Sequence, residues 1–151
     1  MLAEIARTAV TEPELTPRPI EDLRVAASRG NVVLLRHDGE LIGWAVREVL
    51  RPGLFEIGML YITPTFRTPA AFICLARELA NVPEALILAT YDPALVRLAV
   101  LEFGFREASL GEVIIRSHGR FLSKRLSAES RRAVREHTRN ARPLCAIRET
   151  R

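Results

Sequence analysis

Arg67 stands at the joint of the stretch ITPTFRTPAAF, residues 62–72. A strand-like apolar run leads in and a helix-like run leads out. The start of a helix leaves backbone N–H groups unpaired at the positive end of its dipole, so such a joint can hold a phosphate. A close cradle wants glycine, and none lies between residues 62 and 72. Pro69 also brings no N–H. Three readings stay open for these residues: a cofactor site, a cofactor site that has lost its glycines, or a helix start capped by Thr68. Other side chains that could do chemistry are sparse. Cys74 and Cys145 are too few and too dispersed for a disulfide framework or a zinc site. His37, His118 and His137 share no metal-ligand spacing, so each reads as a surface histidine and no metal is expected.

The elements that must position Arg67 follow from periodicity. Leu2, Ile5 and Ala9 predict a short helix over residues 2–10, and Pro13, Pro17 and Pro19 then mark a linker. PIEDLRVAASR, residues 19–29, reads as a helix with acids in its first turn and Gly30 as its stop. NVVLLRH and ELIGWAVREV flank Asp38-Gly39, a strong short hairpin signal. LFEIGMLYI, residues 54–62, is a third strand, with Gly58 as its expected bulge. Residues 69–80 form a helix with Thr68 as N-cap, Pro69 in first position and Cys74 expected on its buried side. ALILATY, residues 85–91, has the length and composition of a buried strand. A helix from Pro93 to about Phe103 ends at Gly104. FREAS and GEVIIRS read as a last strand pair around Leu110-Gly111. The fold class is mixed α/β, with a β-α-β crossover that makes strands 54–62 and 85–91 parallel. Trp44 is expected in the core.

The chain has 151 residues, 48% hydrophobic and 26% charged, which suits one globular core. No apolar run approaches a membrane span, and MLAEIARTAV lacks the pattern of a secretory signal. A reducing cytoplasmic setting is the expectation. The net charge of +4 conceals an asymmetry. Residues 1–116 carry 12 Lys/Arg against 15 Asp/Glu, a net −3, while residues 117–151 carry 10 against 3, a net +7. The expected organisation is an N-terminal segment and linker, 1–18, a domain over 19–118, and a basic tail, 119–151.

Leu60-Tyr61-Ile62-Thr63-Pro64-Thr65-Phe66-Arg67 resembles the strand end L-x-V-x-P-x-x-R of the GNAT superfamily of acyl-CoA N-acyltransferases. Glu102-Phe103-Gly104-Phe105-Arg106-Glu107 resembles that family's K-x-G-F-x-E ending. The resemblance covers roughly residues 19–118. It implies a mostly antiparallel central sheet with a splayed parallel strand pair, and acetyl-CoA or another acyl-CoA as co-substrate. Leu60, Tyr61 and Ile62 would meet the pantetheine arm through the backbone, as an added strand does. Arg67, Thr68, Ala70, Ala71 and Phe72 stand where the family's Q/R-x-x-G-x-G/A loop binds the pyrophosphate. Here Ala70 replaces the first glycine of that loop and Phe72 its small last residue. A backbone N–H near Leu60 or Tyr61 would polarise the thioester carbonyl. Glu56, or a water, would take the proton of the acceptor amine. The family's tyrosine acid has no counterpart, since Val100 stands in its place. Tyr61 and Tyr91, near the strand ends, are the candidate substitutes. Pro93 falls where the family often has asparagine.

The tail reads as a basic helix from Ser127 to about Arg142, stopped by Pro143. Arg131, Arg132, Arg135, Arg139 and Arg142 crowd it, with few apolar neighbours and no interleaved aromatic. It fits phosphate contact without base readout, or an acidic protein. Two functions follow as expectations. One is transfer of an acyl group to an unknown primary amine. The other is a catalytically silent GNAT-fold binding or assembly protein, of a kind also met in phages, docking an acidic protein or nucleic acid through the tail.

Overall fold

The computed structural model describes residues 1–12, 15, 19–125 and 143–150. The tail arginines Arg131, Arg132, Arg135, Arg139 and Arg142, the helix expected to carry them, and His137 lie outside the described residues. Six strands form a mixed sheet in the order β1-β2-β3-β4-β6-β5. The chain divides into two compact units, Met1–Glu48 with Gly58–Asn81, and Val49–Ile57 with Val82–Arg151.

The first unit opens with α1 (Leu2–Thr11), which buries Ile5 and Ala9 as their spacing predicts. α2 (Ile20–Ser28) buries Leu23 and places Glu21 and Asp22 in its first turn, where carboxylates suit the dipole. β1 (Val32–His37) and β2 (Glu40–Arg51) pair antiparallel around Asp38-Gly39. Both turn residues have positive φ, the backbone of a tight primed hairpin turn. β3 (Leu54–Ile62) ends in this unit and leads through a 3-10 turn (Pro64–Phe66) into α3 (Pro69–Ala80). The core gathers Ile5, Leu23, Trp44, Val46 and Met59. Arg47 donates to the carbonyl of Gly30 at 2.7 Å, joining β2 to the end of α2. Cys74, expected inside, is exposed on α3; the buried face of the helix is taken by Leu75 and Leu79.

In the second unit the start of β3 pairs in parallel with β4 (Ala85–Thr90), from Leu54↔Ala85 to Ile57↔Leu88. This is the parallel pair that the β-α-β pattern predicts. α4 (Pro93–Phe103) is capped by Asp92, whose carboxylate accepts from the Ala94 amide at 2.8 Å, and ends at Gly104 with φ +70.

The chain then departs from the sequence expectation. β5 (Arg106–Ala108) is short, and the run expected to pair with it is a helix, α5 (Leu110–Arg116). Ser109 caps that helix by accepting from the Glu112 amide at 3.1 Å. Ser109-Leu110-Gly111-Glu112 has the S-x-x-E spacing of a capping box, a local helix signal that outweighs the apolar look of Val113-Ile114-Ile115. The partner of β5 is instead β6 (Leu144–Arg148), which lies between β4 and β5 and is antiparallel to both.

The segment 119–151 is therefore more than a basic appendage. α6 (Arg120–Arg125) starts it, with Phe121 only 1% exposed, and β6 closes it inside the sheet. Phe121, Cys145 and Ile147 share the core of this unit with Leu50, Leu54, Ile87 and Val113. Arg148 is 3% exposed and donates to the carbonyls of Val82 and Glu84 at 2.6 and 3.0 Å. Among the described residues no helix is long and apolar enough to cross a membrane.

Candidate functional site

The end of β3 is shaped by two close approaches and one unusual backbone angle. An added Cβ at Gly43 would meet the Tyr61 carbonyl oxygen at 2.8 Å, so β2 needs glycine to lie this near β3. The Thr63 amide donates to the Ile42 carbonyl at 2.8 Å and fixes the strand's exit. Met59, not Gly58, carries the irregularity: its φ is +48, while its side chain stays buried. A non-glycine residue in this region costs about 1–3 kcal/mol and persists only where its surroundings hold it. Here the burial of Met59 in the core of the first unit supplies that hold.

Beyond the strand, the turn spends most of its own donors. The amides of Phe66, Arg67 and Thr68 donate to the carbonyls of Thr63, Pro64 and Phe66. Thr68 caps α3 by accepting the Ala71 amide on its hydroxyl at 3.2 Å, and the Phe72 amide donates to the Thr68 carbonyl. Pro69 has no N–H. Among the described residues, Ala70 alone in the run 66–72 keeps an amide without an acceptor. Thr68, Pro69 and Ala70 are exposed, and Ala71 and Phe72 are half-buried. The helix start expected from Thr68-Pro69 is therefore present, but its anion-binding capacity is narrowed to one N–H and the dipole.

Arg67 turns back toward the strand. Its Nε donates to the Ile62 carbonyl at 2.9 Å, and its guanidinium carbon lies 5.9 Å from the centre of the Tyr61 ring. The Tyr61 ring packs on Trp44 with centroids 4.4 Å apart. Burial pushes the Tyr61 hydroxyl above its ordinary range. The negative charge of Glu12 raises it further, against the smaller opposing pulls of Arg67 and Thr63. Tyr61 is thus a neutral proton donor at physiological pH. Trp44 is 3% exposed, and among the described residues its indole Nε1 has no hydrogen-bond partner. A buried donor left unpaired costs about 1–3 kcal/mol.

The other predicted residues fall elsewhere. Glu56 is 2% exposed, on the face of β3 that carries Leu54 into the core of the second unit, and it is engaged rather than free. Tyr91 lies just past the end of β4 and is 48% exposed. The first unit therefore gathers Leu60, Tyr61, Ile62, Arg67 and the start of α3, whereas Glu56 and Tyr91 belong to the second. Sequence reasoning missed Glu12 and the partnership of Trp44 with Tyr61. Glu12 ends α1, and its pull on the Tyr61 hydroxyl has no local signature, because Tyr61 lies on a strand distant in sequence. Among the described residues no three His, Cys, Asp or Glu side chains cluster as metal ligands.

No family model and no curated protein matches the sequence. Solved structures do match in shape. Rv2747 from Mycobacterium tuberculosis, solved in complex with CoA, is 15% identical; the match covers 99% of this chain and 93% of that one, with a TM-score of 0.68. N-acetylglutamate synthase from Neisseria gonorrhoeae, solved with coenzyme A and N-acetyl-glutamate, is 18% identical at a TM-score of 0.54. There the match covers 99% of this chain but 32% of the synthase, so the chain spans about a third of that protein's length. Ribosomal-protein-alanine N-acetyltransferase from Brucella melitensis is 17% identical over 72% of this chain and 78% of its own, with a TM-score of 0.51. At these identities the likeness is one of fold.

Proposed function

We propose, for a chain that has the fold of the GNAT acyltransferases, that it transfers an acyl group from acetyl-CoA or another acyl-CoA to a primary amine. The observation that carries this reading is the strand–turn–helix unit from Met59 to the start of α3, which presents a half-buried strand end and an exposed helix start side by side. In this reading the backbone of Leu60, Tyr61 and Ile62 meets the pantetheine amides, and the dipole of α3 with the Ala70 amide faces the pyrophosphate. The amine reaches the thioester as a free base after losing a proton to water. Its lone pair attacks the carbonyl carbon and the C–S bond breaks; the departing thiolate takes a proton from the Tyr61 hydroxyl, the acylated nitrogen gives its extra proton to water, and water returns a proton to the Tyr61 oxygen. Glu56, buried and engaged, is left to a structural role. Two solved relatives of this fold hold coenzyme A, which supports the choice of donor.

A second reading is favoured by one specific observation: five of the six amides in the run 66–72 are already committed inside the turn and the cap. It is a GNAT-fold protein without catalysis that binds a partner. Calorimetric titration with acetyl-CoA separates the two. Under the first reading, cofactor at about 100 times its dissociation constant stabilises the chain by roughly 2.7 kcal/mol, seen as a raised Tm. Tyr61→Phe then retains binding and loses turnover. Absence of heat and of any Tm shift at millimolar acetyl-CoA removes the enzyme and leaves the binding protein.

A further inference from the structure

We propose that Arg51 and Arg120 of the second unit form a fixed seat for the phosphodiester backbone of a nucleic-acid duplex. The two come from distant parts of the chain and are anchored crosswise. Arg51, at the end of β2, donates from Nε to the Arg116 carbonyl in the last turn of α5 at 2.7 Å. Arg120, at the start of α6, donates from Nη1 to the carbonyl of Leu50, the residue before Arg51, at 3.2 Å. The turn between α5 and α6 is itself fixed. Ser117 is fully buried; its hydroxyl donates to the Ile114 carbonyl and accepts from the Phe121 amide. Each anchor uses one guanidinium nitrogen and leaves a two-donor edge intact. Arg51 keeps its end-on Nη1/Nη2 pair and Arg120 its side-on Nε/Nη2 pair, the forks that match two oxygens of a phosphate. Both side chains are ordered before a ligand arrives, which lowers the entropic cost of binding one.

The balance of charge singles these two residues out. The cluster beside them is neutral within itself, with Arg106 and Arg116 set against Glu112 and Glu149. Among the described residues neither Arg51 nor Arg120 forms an ion pair. Two guanidiniums drawn to one corner without a carboxylate repel each other, and an anion that meets both reverses that repulsion. A duplex fits better than a lone phosphate, because the chain runs from α6 straight into residues 126–142, where five arginines stand against two glutamates. A row of phosphates serves both the fixed pair and the cations that follow it in sequence. The seat lies in the second unit, so it depends on neither reading of the strand–turn–helix in the first.

The full chain is titrated against a short labelled DNA duplex of mixed sequence, at salt from about 50 to 200 mM. The wild type should bind saturably and lose affinity steeply as salt rises. Arg51→Gln together with Arg120→Gln should weaken binding about tenfold at the lowest salt. It should also make the slope of log K against log salt shallower by about 1–2, at roughly 0.9 for each phosphate released. Should that double variant fail to fold, His118 decides. It lies in the α5–α6 turn with φ +51, is exposed, and makes no side-chain contact among the described residues. Aspartate and asparagine both accept that backbone. His118→Asp sets a carboxylate two residues from Arg120 and should weaken duplex binding about threefold or more, while the neutral His118→Asn leaves it unchanged. No saturable binding at the lowest salt with up to about 100 µM chain overturns the proposal. Equal affinity and equal salt slope in the wild type, the double variant and His118→Asp overturn it too, and assign the binding to the tail alone. Binding to polyglutamate with none to the duplex also rejects it, and points to an acidic protein as the partner.

Discussion

Gly43 and Tyr61 show how little freedom single positions at the strand end have. A methyl at Gly43 meets the Tyr61 carbonyl at 2.8 Å, and backbone cannot swing aside as a long side chain does. Gly43→Ala should therefore lower stability by about 1–3 kcal/mol, read as a reduced denaturant midpoint with an unchanged slope. It should also shift Trp44 emission, since Tyr61 is packed on that indole. Tyr61 adds a pH term. Its folded pKa is raised, so its contribution is whole below the ordinary tyrosine value near 10 and is lost as pH rises through the folded value. Tyr61→Phe should flatten the alkaline limb of a stability-versus-pH curve above about pH 10 and leave the neutral region unchanged in slope. At this scale the sequence was legible where the cause is local: Thr68 and Pro69 cap and start α3 as residue type dictates. It was misleading where cause is tertiary. Gly58 advertised the irregularity, and Met59 adopts it because its side chain is anchored in the core.

The same division between local and distant causes holds for whole elements. Nearly every helix and strand up to Phe103 could be read from apolar spacing, Asp-Gly, and Pro or Gly punctuation, since each signal lies inside the element it marks. After Phe103 two signals conflicted, β-branched apolar residues and the Ser109-x-x-Glu112 cap, and the cap prevailed. Ser109→Ala should cost about 1 kcal/mol, within the 0.5–2 range for lost N-caps, measured by thermal or denaturant unfolding. α5 also anchors an ionic cluster: Arg106 pairs with Glu112 and Glu149, and Arg116 with the same two carboxylates. The side-chain bond from Arg106 holds Glu112 below its ordinary pKa, and that from Arg116 does the same for Glu149. For carboxylates lowered in the folded state, the stabilisation is present above the unfolded value of about 4.3 and is lost as pH falls through the folded one. Stability should thus decline on acidification below about pH 4.3, and Glu112→Gln should flatten that decline. The cluster is exposed, so added salt should shrink the effect.

For the whole molecule, the decisive contact joins distant parts of the sequence. Leu144–Arg148 enters between β4 and β5, and five residues of LCAIR carry no hint of which strands they will meet. A basic segment ending in a short apolar run reads as a tail until its partners are known, and pairing at long sequence separation is what local patterns do not encode. This changes how the docking role expected of the arginines is tested. Removing residues 143–151 deletes a central strand with the buried Cys145, Ala146 and Ile147, and should unfold the second unit whatever the arginines do. Substitution within the full chain avoids that confusion. Replacing Arg131, Arg132, Arg135, Arg139 and Arg142 with glutamine should leave the unfolding midpoint near wild type while weakening binding to an RNA or DNA duplex. If all five meet phosphates, the slope of log K against log salt should become shallower by up to about 4–5 for B-DNA. An acidic protein as the true partner would show instead as loss of that complex with duplex binding weak in both forms. A duplex affinity and salt slope identical in wild type and variant would place nucleic-acid binding elsewhere on the chain.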